Sequence, residues 1–87
     1  MTPVQTLSAA QIKEVIFACL KQIAPEADLE SLSPDVNVRE ALDIDSFDYL
    51  NFMIALDAEL GVAIPEADYG QLATLNDIVR YISARLA

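Results

Sequence analysis

Residues 45–61 read DSFDYLNFMIALDAELG. Asp45 is a good N-cap, Asp48 puts an acid in the first turn, and Gly61 follows the last apolar residue. The spacing therefore predicts a helix from Ser46 to Leu60. Ile44 before the cap and Tyr49 after it form a hydrophobic staple. On a wheel of about 100° per residue, Tyr49, Leu50, Phe52, Met53, Leu56 and Leu60 share one broad arc, the expected core face. Phe47, Ile54 and Ala58 fall on the opposite side with Asn51, where a surface helix normally carries charge. Two readings are open. Either the long loop or the last helix covers Phe47 and Ile54, or they form an exposed stripe, edged by Asp48 and Glu59, that anchors a protein partner.

Working outward, residues 8–23 carry Ile12, Val15, Ile16, Cys19, Leu20 and Ile23 at helical spacing. Ser8 with Gln11 forms a capping box, Leu7 with Ile12 a staple, and Pro25 marks the end. Cys19 lies within the apolar stripe and reads as a small buried hydrophobe with an unreactive thiol. Residues 24–44, APEADLESLSPDVNVREALDI, exceed the usual helix-to-helix connection. Leu29, Leu32, Val36, Val38 and Leu42 are expected to pin this loop onto the core, with a single helical turn around REAL. A further short turn is expected near residues 66–70. The last helix starts at Thr74, capped by its own hydroxyl with Asp77 three residues on, and presents Leu75, Ile78, Val79, Ile82 and Leu86. The expected fold is all-α: a small antiparallel bundle of three main helices plus a short fourth, with a long loop between the first two. Residues 1–87 are expected to form a single domain.

Composition narrows the function. An apolar fraction of 54% excludes intrinsic disorder, and two glycines in 87 residues favour helices. One cysteine excludes an internal disulfide framework and a Cys-based zinc site. The N-terminal residues show no signal-peptide pattern, and no apolar run is long enough to span a bilayer, so a cytoplasmic protein without stable membrane insertion is expected. Fourteen acids against five bases give a net charge of −9, which disfavours nucleic acid and anionic membranes as partners. No Lys or Arg occurs from Glu40 to Val79, where Asp43, Asp45, Asp48, Asp57, Glu59, Glu66 and Asp68 all fall. Such a run is either a solvated acidic surface or a landing site for basic partners.

Ser46 is the chemical focus. A nucleophilic serine needs a base and oxyanion donors, and the chain holds no histidine. Nothing in the spacing ties Lys13 or Lys21 to Ser46. DIDSFDYLNFMI fails as a calcium loop: it has Phe at a ligand position and lacks the turn glycine and the terminal Glu. No metal site is expected. What a hydroxyl at a helix start can do is accept a group, because the free N–H groups there favour an attached phosphate. Asp45 and Asp48 oppose that second charge, so the modifying enzyme must bring cations or Mg²⁺ to screen them.

Taken in order, LDIDSFDYLNFMIALDAELGVAIPEADY and ATLNDIVRYI resemble the acyl carrier proteins of the phosphopantetheine-binding family. The counterparts are Asp45-Ser46-Phe47, the helix to Leu60, the Ile64-Pro65-Glu66 turn, and Thr74-Leu75 through Tyr81-Ile82. The resemblance runs from about Ser8 to Leu86. It implies a modified carrier, not an enzyme. A phosphopantetheinyl transferase would attach 4′-phosphopantetheine from coenzyme A to Ser46, and the arm's thiol would carry acyl groups as thioesters. The resemblance implies acyl-loading, acyl-modifying and acyltransferase partners with basic docking surfaces, met by a monomer through Asp45, Phe47, Asp48, Ile54, Asp57 and Glu59. An acyl chain entering the bundle gains up to about 0.8 kcal/mol per buried CH₂.

The sequence departs from the pattern at Phe47 (usually Leu), Asp43 (often Gly) and Asn51 (commonly Glu in fatty-acid-synthesis carriers). These departures imply a free-standing carrier with dedicated partners, for a specialised lipid or polyketide, with housekeeping fatty-acid synthesis open. An aminoacyl or peptidyl carrier and an unmodified helical interaction module are the alternatives.

Overall fold

The four helices of the computed structural model, which describes residues 7–86, are α1 (Ala9–Ile23), α2 (Val38–Leu42), α3 (Ser46–Leu60) and α4 (Leu75–Leu86). Short 3₁₀ turns lie at Leu29–Ser31 and Glu66–Gln71. Each long helix begins where a side chain takes up orphan N–H groups. At α1 the Ser8 hydroxyl accepts the Gln11 N–H (3.1 Å), while the Gln11 amide oxygen accepts the Ser8 N–H (2.8 Å). Thr74 and Asp77 make the same reciprocal pair at α4, at 3.0 and 3.3 Å. Consequently α4 starts at Leu75, with Thr74 as its cap rather than its first residue.

α1 packs against both α3 and α4. Ile12, Ile16, Cys19 and Leu20 from α1 meet Phe52, Met53 and Leu56 from α3 and Leu75, Ile78 and Ile82 from α4 in one core. Val79 and Leu86 reach it only in part. On α3 the core arc is narrower than the wheel predicts. Tyr49, Phe52, Met53 and Leu56 are buried, whereas Leu50 and Leu60 are half-buried. The reasons differ: Leu50 lies at the flank of the arc, whereas Leu60 lies within it but is the last residue of the helix.

The long connection is folded onto the body. Leu29 and Val38 are buried and Leu32 and Leu42 partly so, but Val36, expected to pin the loop, is 40% exposed. Backbone bonds do that work instead. The Val38 N–H donates to the Ala73 carbonyl (2.8 Å), and the Asn76 N–H donates to that of Pro34 (3.1 Å). The Asn76 side chain donates to Asp35 (2.8 Å). These bonds bring α2 and the turn at 66–71 beside the start of α3. At the far end, Asp68 accepts from the Tyr81 hydroxyl (2.6 Å) and from Arg85 (3.2 Å), tying the 66–71 turn to α4. Among the described residues, no helix is long and apolar enough to cross a membrane.

Candidate functional site

The junction of α2 and α3 builds the site. α2 ends at Asp43, which adopts the left-handed conformation (φ 55°) and reverses the chain. The Ile44 N–H then donates to the Arg39 carbonyl (2.9 Å), and Arg39 Nε donates to the Ile44 carbonyl (3.4 Å). Asp45 Oδ1 accepts the Asp48 N–H at 2.8 Å, which caps α3 and leaves Ser46 as its first residue. Ser46 is exposed. Its neighbourhood combines helix-terminal N–H groups with Asp45 and Asp48 on the same turn.

α3 keeps its second apolar stripe in the open. Phe47 is 69% exposed and Ile54 55%, so neither the loop nor α4 covers them. Asn51, Asp57, Ala58 and Glu59 are exposed along the same helix, and Asp48 is half-buried. Burial, then Glu66 and Asp57, raises the pKa of Tyr69 in the 66–71 turn, and burial, then Glu59, raises that of Cys19 on α1. Cys19 itself is 1% exposed, in keeping with a packing role.

Beside Ser46 lies a cavity of about 270 Å³ lined by Ser46, Tyr49, Arg39, Asn37, Tyr69 and Leu72. Helical periodicity places Tyr49 in the core and gives Arg39 no role, so neither is legible as a site residue from spacing alone. One signal is present: Arg39 is the one basic residue between Lys21 and Arg80. A larger open groove of about 820 Å³ runs under the long loop past Ile23, Leu32, Val36 and Leu42, without Ser46. No group of His, Cys, Asp and Glu among the described residues is arranged to hold a metal ion.

Residues 14–82 match the family described as the phosphopantetheine attachment site. The chain belongs to the acyl carrier proteins of that family. It is 32% identical over 75 residues to the acyl carrier protein of Lactobacillus acidophilus, covering 83% of this chain and 94% of that protein. With the acyl carrier protein of Syntrophobacter fumaroxidans it shares 33% identity over 81 residues, 93% of this chain and 96% of the relative. A solution structure provisionally assigned as an acyl carrier protein, from Anaplasma phagocytophilum, superposes with a TM-score of 0.72 at 27% identity. It covers 100% of this chain and 97% of that one. The prosthetic group of an acyl carrier protein is 4′-phosphopantetheine, and the α2–α3 junction suits it. At that junction an exposed hydroxyl lies at a helix start. Arg39 lines the adjoining cavity, a cationic residue where a phosphodiester would bring negative charge.

Proposed function

We propose that residues 1–87 form a single carrier domain and that Ser46 Oγ is its attachment point for 4′-phosphopantetheine. The observation that carries this is the exposed Ser46 hydroxyl at the first turn of α3, beside a cavity and ahead of an uncovered apolar stripe. A phosphopantetheinyl transferase, with coenzyme A and Mg²⁺, joins Ser46 Oγ to the phosphorus next to the pantetheine. The pyrophosphate bond breaks, adenosine 3′,5′-bisphosphate leaves, and the serine proton passes to a base on the transferase. Once attached, the arm supplies a thiol that holds acyl groups as thioesters. The carrier contributes no acid or base to later chemistry. Its own residues fix the arm's root, present a docking surface and keep Cys19 buried, away from the cargo.

Asp45, Phe47, Asp48, Ile54, Asp57 and Glu59 form that surface in this reading. Phe47 and Ile54 supply the apolar anchors, and the carboxylates attract basic partner enzymes that load, modify and transfer the acyl group. The carrier works as a cytoplasmic monomer, free-standing, in fatty-acid or specialised lipid synthesis. Phe47 beside the attachment serine favours dedicated partners.

Intact mass after incubation with coenzyme A, Mg²⁺ and a broad-specificity transferase tests the assignment. One phosphopantetheine is expected to add to the native chain and none to Ser46→Ala. No gain, or a gain that survives the substitution, would remove Ser46 from this role.

A further inference from the structure

Arg39 is a cation without a carboxylate partner in an acidic neighbourhood. It is the one basic residue between Lys21 and Arg80, and Asp43, Asp45 and Asp48 all lie at the same α2–α3 junction. Yet the salt bridges among the described residues belong to Arg80 and Arg85, so Arg39 pairs with none of these acids. Its head group is placed by two other contacts. Nε donates to the Ile44 carbonyl, and the guanidinium carbon lies 5.7 Å from the centroid of the Tyr49 ring. Ile44 comes two residues before Ser46, and Tyr49 comes three residues after it, on the same side of α3. Arg39, Ser46 and Tyr49 all line one cavity. The two contacts thus hold the guanidinium beside the stretch of chain that carries Ser46.

The fold itself gains little from that placement. At 3.4 Å the bond to Ile44 lies beyond the usual N–H···O range, and Arg39 is exposed. The bond uses Nε alone and leaves the terminal NH₂ groups, for which the described residues provide no acceptor. A guanidinium presents those groups as a planar fork that matches the free oxygens of a phosphate. Modification of Ser46 brings such a group, a phosphodiester with one negative charge, rooted on the Ser46 side chain. Asp45 and Asp48 repel it, and Asp45 has already taken the Asp48 N–H of the first turn (2.8 Å). Arg39 is the one basic side chain at the junction that can offset this repulsion.

We propose that Arg39 is a positioning residue for the prosthetic arm: its guanidinium pairs with the phosphodiester on Ser46 and fixes the direction in which the arm leaves α3. The proposal rests on Ser46 being the attachment point. The contact is made by the root of the arm and is the same whatever the thiol carries. It also gives attachment a consequence for the body of the carrier. The pair adds a link between α2, which carries Arg39, and α3, which carries Ser46.

The test loads the native chain, Arg39→Gln and Lys13→Gln from coenzyme A with a phosphopantetheinyl transferase and Mg²⁺. Intact mass verifies each product, so a native chain that fails to load counts against Ser46 and is distinguished from a failure of the pair. The ³¹P signal of the loaded native chain is then compared with that of its tryptic fragment 40–80, which carries Ser46 without Arg39. The native signal is expected to be displaced from the fragment's, and the Arg39→Gln signal to move back towards it. Comparing the melting of loaded and unloaded forms of one chain cancels whatever Arg39 contributes to the fold alone. Loading is expected to shift the melting temperature about 2–4 °C less favourably in Arg39→Gln than in the native chain, the effect of one exposed ion pair in a domain of this size. Lys13→Gln, with the same net charge as Arg39→Gln, is expected to follow the native chain in both measurements. A native signal coincident with the fragment's would overturn the proposal without recourse to any variant. So would equal signals or equal melting shifts in the native chain and Arg39→Gln. A loss reproduced by Lys13→Gln would overturn it too, since net charge and not contact would then be the cause.

Discussion

Two side chains that can lose a proton lie inside this bundle, and both are held neutral by burial. Cys19 is desolvated on α1, with Glu59 raising its pKa further, so its thiolate is scarce at neutral pH and the thiol does not compete for acyl groups. Tyr49 is the stronger case. Burial raises its pKa from 10.0 to about 12, with Asp77 adding to the rise and Arg39 opposing it. The sign of the consequence is fixed by linkage. Above pH 10.0 the unfolded chain releases the phenolic proton while the folded chain keeps it, so stability from this group is complete below that pH. It is lost as pH rises from 10.0 to about 12. Urea midpoints of the native chain are therefore expected to fall more steeply than those of Tyr49→Phe across this window. Parallel profiles would mean that the hydroxyl is hydrated in the folded state.

At the scale of elements, the ends of the helices were legible because capping is local. Ser8-Gln11, Asp45-Asp48 and Thr74-Asp77 are each three residues apart, and each pair forms the expected bonds. The exposed stripe of α3 was legible as a pattern, but only tertiary packing decides whether something covers it. What escaped the sequence is non-local. The role of Arg39 depends on a left-handed turn at Asp43 that carries α2 back beside α3, and the cavity needs the 66–71 turn brought in by Val38 and Asn76. Gly61 shows how tightly one backbone angle controls an element. It closes α3 in the left-handed conformation, φ 64°, with nothing within 4 Å of where a Cβ would sit. Gly61→Ala therefore meets strain without a clash, and a loss of about 1 kcal/mol is expected once the stiffer unfolded chain is allowed for. Gly70 has equally open surroundings and no such φ. Gly70→Ala is expected to be neutral in the same denaturant titration, and an equal loss at both positions would rule out backbone strain at Gly61 as the cause.

Over the whole molecule, stability and recognition are separated in space. The core forms along α1, one face of α3 and α4, while Phe47 and Ile54 point away from it and the bases on either side of Glu40–Val79 leave that span wholly acidic. Exposed residues outside caps and networks shift stability by no more than about 0.5 kcal/mol. Phe47→Ala and Ile54→Ala are thus expected to melt with the native chain, yet each removes an anchor that a partner would bury. Loss of such an anchor typically costs more than about 1 kcal/mol, or upwards of fivefold in affinity. Steady-state loading by a phosphopantetheinyl transferase measures this: kcat/KM is expected to fall at least about fivefold for each variant. The carboxylates act at longer range. Raising ionic strength from 0.01 to 0.15 M shortens the screening length from about 30 to 8 Å, so native loading is expected to slow steeply. Asp57→Asn with Glu59→Gln is expected to flatten that dependence, while Phe47→Ala is expected to keep its slope and lower the whole curve. Loading that is indifferent to all of these changes would place the docking surface elsewhere on the carrier.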